Sequence, residues 1–267
     1  MLLREVEYAR PESVEDALRL LAADDGARAL AGGQTLVNVM KARAASPDVL
    51  VDLNALDELR TIARRDDGGI EVGAMATYTQ LMLDPVVGEG RPIVAEVASQ
   101  IADVQVRNRG TIGGNVCSND PTNHFPPLAV ALGARMTIRS ADGEREVPAE
   151  EFFLGVYMTA VAPGDLLVKL TIPAGSRDGF AAVTLGKDGT CIVSAAATLD
   201  GDPTIAIGCV DAVPVVLRPS GTDEEAIRAA VRDAGLDPPS DVHASADYRR
   251  HLAEVLAIRA VRAAESR

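Results

Sequence analysis

The sequence is short of several features, and each shortage excludes a class of protein. Its three cysteines are widely separated and form no CxxC pair, which excludes a zinc site or a thiolate-held iron–sulfur cluster within this chain. No apolar run approaches the roughly 18 residues of a transmembrane helix. Basic residues number 26 against 39 acidic ones, and the resulting net charge of −13 disfavours nucleic acid as a partner.

What the sequence does contain is typical of a folded globular protein. Hydrophobic residues make up 47% and charged residues 24% of 267 residues, enough for one to three domains with a sizeable core. The start, MLLREVEYARPE, carries acidic side chains where a signal peptide has its apolar region, so we expect a cytoplasmic protein. The cysteines are expected to pack as small hydrophobic side chains, at Cys117, Cys191 and Cys209.

Hydrophobic periodicity divides the chain into three predicted parts. Residues 1–55 alternate strand and helix in a small βαβ unit, with Ser13 capping the first helix. Residues 56–174 contain a hairpin turning at 67–69, helices at 78–83, 92–102 and 125–132, a glycine-rich loop at 107–115, a hairpin at 135–147 and a strand at 166–172. Residues 175–267 contain strands at 181–185, 192–199 and 204–210, then helices at 223–234 and 243–264.

Two glycine motifs are candidates for binding an anion. Paired glycines permit positive φ angles and let backbone amides approach a phosphate closely. A strand, a glycine pair and then a helix also direct helix N-terminal amides toward the anion. Neither motif is a P-loop or a GxGxxG fingerprint, and plain turns remain an alternative for each one alone. The motifs are Ala31-Gly32-Gly33-Gln34-Thr35-Leu36 and Thr111-Ile112-Gly113-Gly114-Asn115.

Three segments together resemble a known family. They are AGGQTLVNVMKAR, RNRGTIGGNVCSNDPTNHFPPLAVALGA and EFFLGVYMTAVAPGDLLVKLTIP, in this order. The chain resembles the FAD-binding medium subunit of the molybdenum hydroxylases, the xanthine dehydrogenase and carbon monoxide dehydrogenase family. The resemblance implies an α+β fold: a two-subdomain FAD-binding module of the vanillyl-alcohol oxidase/MurB type, followed by a small α/β C-terminal domain.

The same resemblance implies which residues bind the cofactor. FAD would lie between the two subdomains, with its pyrophosphate near the two glycine motifs. The residues that match the family's cofactor contacts are Ala31, Gly32, Gly33, Gln34, Thr35, Leu36, Thr111, Gly113, Gly114, Asn115, Ser118, Asp120, His124, Leu167 and Lys187.

Three positions depart from the family pattern. His124 stands where relatives have an aspartate that supports the sugar part of FAD, and it is either a replacement hydrogen-bond donor or an exposed loop imidazole. Gly189 and Thr184 replace an aspartate and a lysine found in relatives.

Two further residues have alternative roles. Asp120 either contacts the cofactor or shapes a turn before Pro121. Tyr157 lies either near the flavin or in the domain core.

The resemblance implies an electron-transfer subunit. A large partner would carry the molybdenum–pterin cofactor and a small partner two 2Fe–2S clusters, in a dimer of heterotrimers with no transmembrane segment. Two alternatives remain: a stand-alone MurB-type flavin reductase, and an assembly module that has lost its flavin. Gln34, where carbon monoxide enzymes have histidine, disfavours those enzymes weakly, and the sequence names neither substrate nor electron acceptor.

Overall fold

The computed structural model describes residues 3–186 and 189–267. It contains three larger β-sheets, each formed by one stretch of the chain, and a small two-stranded sheet. The sheets change between residues 52 and 62 and again between 172 and 178. The predicted domain limits at 55/56 and 174/175 fall in these connections and stay predictions.

The first sheet is the predicted βαβ unit. Its three strands are parallel and lie in the order β1-β3-β2. In chain order the elements are β1 Glu7–Ala9, α1 Val14–Ala22, β2 Ala27–Leu30, α2 Leu36–Lys41 and β3 Val49–Asp52, followed by short 3-10 helices at Leu53–Ala55 and Asp57–Arg60. The Ser13 side chain accepts a hydrogen bond from the Asp16 amide, so the predicted cap is confirmed.

The second sheet has five antiparallel strands in the order β4-β5-β10-β6-β7. They are β4 Ile62–Arg64, β5 Ile70–Gly73, β6 Arg135–Ser140, β7 Gly143–Pro148 and β10 Leu166–Ile172. Strands β8 Phe153–Gly155 and β9 Met158–Thr159 form a separate hairpin. The helices that cover the sheet are α3 Tyr78–Leu83, α4 Pro85–Gly90, α5 Pro92–Ser99, α6 Val104–Arg109, α7 Ile112–Ser118, α8 Phe125–Ala131 and α9 Ala149–Phe152.

The third sheet is antiparallel and is buried on both faces. Its strands, in spatial and chain order, are β11 Asp178–Thr184, β12 Cys191–Thr198, β13 Thr204–Gly208 and β14 Val215–Leu217. Every residue of β12 is buried, because helices α10 Glu224–Asp233 and α11 Ala246–Glu265 lie on one side and α8 on the other. Among the described residues, no helix has both the length and the apolar character of a membrane span.

A buried arginine joins the second and third sheets' segments. Arg91, at the start of α5, donates to Asp178 Oδ1 at 2.6 Å and to Thr198 Oγ1 at 3.0 Å. It also donates to the Pro173 carbonyl at 2.9 Å, directly after β10. Arg91 and Asp178 are 2% and 1% exposed, so this ion pair is shielded from solvent. Loss of Arg91 would leave the buried Asp178 charge uncompensated, whereas loss of Asp178 would leave Arg91 with Asp200 at 3.5 Å.

Candidate cofactor site

The first glycine motif forms the turn between β2 and α2. Gly33 has φ of +74°, a left-handed conformation that glycine adopts without strain. The backbone amides of Gly33, Gln34, Thr35 and Leu36 donate to no acceptor within the described residues. Four unpaired amides at the start of a helix are the donor arrangement that binds phosphate.

The turn between β2 and α2 is held by a hydrogen bond from Asn54, which lies after β3. Asn54 Nδ2 donates to the Ala31 carbonyl at 2.9 Å and to Asp52 Oδ1 at 2.6 Å. Arg60 in turn donates to the Asn54 Oδ1 atom at 3.3 Å and to the Met75 carbonyl at 3.1 Å. The sequence analysis missed Asn54, because an isolated asparagine in VDLNALD has no spacing that marks it. These bonds attach the turn to the strand that follows it.

Gly32 of the first glycine motif contacts the two residues that precede the second motif. A Cβ at this position would lie 2.1 Å from the Arg109 carbonyl oxygen and 2.9 Å from the Gly110 Cα. The backbones therefore touch at a distance that only glycine permits. The contact brings the first motif beside the residues that lead into the second, and a ligand shared by both motifs stays a prediction.

The second motif differs from the prediction, because it is not a loop. Gly113 and Gly114 lie in the first turn of α7, which Thr111 caps by accepting from the Gly114 amide at 3.0 Å. The Ile112 and Gly113 amides donate to the Ala76 and Ala74 carbonyls at 3.0 and 2.9 Å. These amides already have acceptors, so the motif presents a helix surface rather than free donors. A Cβ on Gly113 would lie 2.6 Å from Ala74, and this close packing explains the glycine.

Asn115 carries the unsatisfied polar atom of this helix. Its Nδ2 donates to the Tyr78 hydroxyl at 2.9 Å, while its buried Oδ1 has no partner within the described residues. Burial raises the pKa of Tyr78 to about 12, so the phenol stays protonated. The Asn115 carbonyl accepts from Ser118 Oγ at 2.8 Å and from Asn123 Nδ2 at 3.0 Å. Sequence reasoning missed Asn123, which also donates to Ser118 Oγ at 3.0 Å.

The turn after α7 organises the remaining predicted residues. Asp120 Oδ1 accepts from the Thr122 amide at 2.9 Å, so the predicted turn-shaping role is present. Asp120 Oδ2 also accepts from the Tyr157 hydroxyl at 3.3 Å. Tyr157 is 62% exposed with φ of +57°, which makes its predicted place in the core wrong.

The structure gives different results for the three remaining predicted cofactor contacts, His124, Leu167 and Lys187. His124 is only 7% exposed and packs at 5.2 Å against the Phe180 ring, so the alternative of an exposed loop imidazole is wrong. Leu167 is 3% exposed within the main core, and its cofactor contact stays a prediction. Lys187 lies outside the described residues. Thr184 and Gly189, the other departures, lie in and after β11, remote in sequence from both glycine motifs.

Comparison with known proteins decides the family. Residues 4–175 match the family model of the FAD binding domain in molybdopterin dehydrogenase. The chain belongs to this family. It is 36% identical to the carbon monoxide dehydrogenase medium chain of Hydrogenophaga pseudoflava, over 98% of this chain and 97% of the relative. It is 35% identical to subunit alpha of the 6-hydroxypseudooxynicotine dehydrogenase complex of Paenarthrobacter nicotinovorans, over 92% and 90%.

A solved structure agrees over the full length. Quinoline 2-oxidoreductase from Pseudomonas putida 86 has a chain with a TM-score of 0.92 and 34% identity, covering 100% of this chain and 99% of that one. The α+β fold class predicted from the sequence is therefore confirmed. The FAD-binding domain and the oxidoreductase assignment are confirmed by the family, whose molybdopterin-dehydrogenase members include the dehydrogenase subunits above.

The residues present fit a dinucleotide with a pyrophosphate. The free amides at 33–36 supply donors for the phosphate oxygens, and the left-handed Gly33 opens the turn toward them. The individual contact residues stay a prediction, with the first motif favoured over the second by its free donors. FAD, when bound, supplies the redox chemistry, and the protein supplies binding, orientation and electrostatics.

Proposed function

We propose that the chain is the electron-transfer subunit of a molybdenum hydroxylase, accepting electrons from 2Fe–2S clusters of a small partner and passing them to an external acceptor. The observation that carries the proposal is the set of four unpaired amides at 33–36 in an FAD-binding domain of this family. A bound flavin accepts electrons singly and releases them in pairs. The sequence has three cysteines, fewer than the four thiolates of such a cluster, which supports the proposal that a partner carries the clusters.

In this proposal the chain's own residues bind and orient the cofactor. The amides of Gly33 to Leu36 hold the pyrophosphate, and Asn54 keeps their turn in place through the Ala31 carbonyl. Asn115 Oδ1 offers an unused acceptor to a hydroxyl of the cofactor. Asp120 and Tyr157 form the rim of the proposed FAD site, and their hydrogen bond connects the turn after α7 to the β8–β9 hairpin.

The partner proposal draws on one exposed surface. The β8–β9 hairpin, FLGVYMT at 153–159, has no charged residue and exposes Leu154, Val156, Tyr157 and Met158 by 46–62%. An uncharged apolar surface on a chain of net charge −13 is where a permanent subunit contact would exclude solvent. We propose that this hairpin contacts one of the two partner subunits, in the dimer of heterotrimers that the sequence analysis expects.

FAD binding is tested with two glycine variants of matched backbone strain. Gly33 and Gly133 have φ of +74° and +64°, and only Gly33 lies in the proposed site. We expect Gly33→Val to lose FAD and Gly133→Val to keep it, measured as visible flavin absorbance after dialysis against FAD. The absence of tryptophan keeps the protein's own absorbance low. Equal flavin content in the two variants would overturn the assignment of the 31–36 turn.

Assembly is tested with two exposed apolar side chains. We expect Met158→Lys to release the chain from the native complex, because the lysine would bury a charge at the contact. Val242→Lys, at a residue 94% exposed outside the hairpin, is the control and should leave assembly unchanged. Sedimentation of the native complex measures both. A monomeric chain that carries FAD and oxidises substrate unaided would refute the subunit proposal and favour the stand-alone reductase.

A further inference from the structure

Two cysteines that are far apart in the sequence approach each other in the third sheet. Cys191 opens β12, where the register with β11 shifts between Val183 and Thr184, so that Cys191 lies opposite Thr184 and Ile192 is an extra residue. Such a bulge re-aims the side chains beyond it. It turns Cys191 onto the face that carries Ser194 and faces α8, where Pro127 packs beside Gly208.

A second backbone irregularity aims Cys209 at the same place. Cys209 directly follows β13 and has φ of +68°, a left-handed conformation that is uncommon for any residue except glycine, asparagine and aspartate. Backbone outliers of this kind concentrate at functional positions. The bulge at Ile192 and the left-handed Cys209 are independent departures from regular sheet, and both bring a thiol to one point.

The groups around the two thiols shift their pKa values in opposite directions. The Cys209 thiol lowers the pKa of Cys191 the most, and His124 and Ser194 add to this effect against the opposing effect of burial. Cys191 and burial raise the pKa of Cys209. Of the two thiols, Cys191 is therefore the more acidic. Buried Arg249 donates to the Ile192 and Cys209 carbonyls, which fixes both cysteine backbones and puts a cation nearby.

A narrow cleft reaches Cys209, the second thiol of this pair. Cys209 lines it together with Asp120, Pro126 and Asp211, and its volume of about 10 Å³ holds one water-sized molecule. The cleft is too small for a peptide or a glutathione. We therefore consider a small oxidant, hydrogen peroxide, rather than a bulky one.

We propose that Cys191 and Cys209 are a redox-active thiol pair that hydrogen peroxide converts to a disulfide. The Cys191 thiolate attacks one peroxide oxygen, the O–O bond breaks, hydroxide leaves, and Cys191 becomes a sulfenic acid. The Cys209 sulfur then attacks the Cys191 sulfur, and the S–OH bond breaks. The Cys209 proton and the hydroxyl leave as water. The two thiols lose two electrons, and the peroxide gains them.

Peptide mapping of the full-length protein tests the pair. After treatment with hydrogen peroxide and alkylation, we expect a cross-linked Cys191–Cys209 peptide lighter by two hydrogen atoms. Cys117 is the internal control and should stay alkylated, because burial raises its pKa to about 12 and keeps it a thiol. Oxidised glutathione should leave all three thiols free.

Single substitutions separate the two roles. In Cys209→Ser we expect Cys191 to accumulate as a sulfenic acid that dimedone traps, with no disulfide. In Cys191→Ser we expect Cys209 to remain a free thiol. Two results for the unsubstituted protein would overturn the proposal. In the first, peroxide oxidises Cys117 and leaves Cys191 and Cys209 unmodified. In the second, Cys191 is oxidised to sulfinic acid without a cross-link. If a variant does not fold, the peptide map of the unsubstituted protein is sufficient to test the proposal.

Discussion

Replacing Gly32 by alanine tests whether its contact with Arg109 and Gly110, just before the second glycine motif, shapes the FAD site. The new Cβ would lie 2.1 Å from the Arg109 carbonyl oxygen, whereas real Cβ contacts are essentially never under 3.0 Å. The two segments must therefore separate by about 1 Å. Neither can give way by a rotamer change, because the oxygen and the Gly110 Cα are both backbone atoms.

The expected loss follows from this overlap. Overpacking of a close contact costs about 1–3 kcal/mol. If FAD binding requires the closed arrangement, that cost appears in the FAD dissociation constant as a roughly 5- to 150-fold increase. The free energy of unfolding should fall by less, because the unliganded protein relieves the overlap by letting the motifs part.

Titration of the unliganded variant with FAD, followed by flavin fluorescence, measures the change. Gly88→Ala is the control, since a Cβ on this α4 glycine meets nothing within 4 Å and alanine favours a helix. We expect its FAD affinity to match the unsubstituted protein. A Gly32→Ala protein whose affinity stays within twofold of Gly88→Ala would refute the idea that the glycine contact shapes the site.

Three further predictions concern stability. Arg91→Met should lower the free energy of unfolding in urea by about 3–5 kcal/mol by leaving Asp178 buried and unpaired, and adding Asp178→Leu should restore most of it. Asn54→Ala should cost about 1 kcal/mol in the same assay through loss of the bond to Ala31. Burial raises the pKa of Asp52, but hydrogen bonds from Tyr8 and Asn54 outweigh burial and lower this pKa overall. The ionised Asp52 therefore stabilises the fold above the pKa that it has in the unfolded chain, and this stability is lost as pH falls through the lower, folded pKa. Asp52→Asn should therefore flatten the decline of unfolding free energy in acid, measured by urea titrations below pH ~4.

Regular elements were predictable where periodicity and local signals agreed. The strand at 166–172 matches β10 residue for residue, and Ser13 caps α1 as predicted. Strand β14 and helix α4 were missed, because each is short and carries few periodic positions. The 107–115 segment was wrong because glycine is a weak helix former, and the Thr111 cap and packing on Ala74 override that preference.

The site was predictable only in part. The turn at 31–36 was identified because glycine pairs after a strand have a known use, and its amides are indeed free. Asn54 and Asn123 were missed because their role comes from tertiary contacts that no local spacing encodes. The cysteines were expected to be separate thiols, whereas a bulge and a left-handed residue bring Cys191 and Cys209 together. Sequence patterns do not report either irregularity.

The position of β10 has a consequence for synthesis of the chain on the ribosome. This strand lies at the centre of the five-stranded sheet, between β5 and β6, although it is the last of the five to be made. Until residue 172 has left the ribosome, the β4–β5 and β6–β7 hairpins each expose an unpaired edge, which invites association with other chains. The β5 edge stays unpaired from residue 73 until β10 is made at 166–172, whereas the β6 edge stays unpaired only from the end of β7 at residue 148. The β5 edge is therefore the one that is open to association with other chains for most of this synthesis.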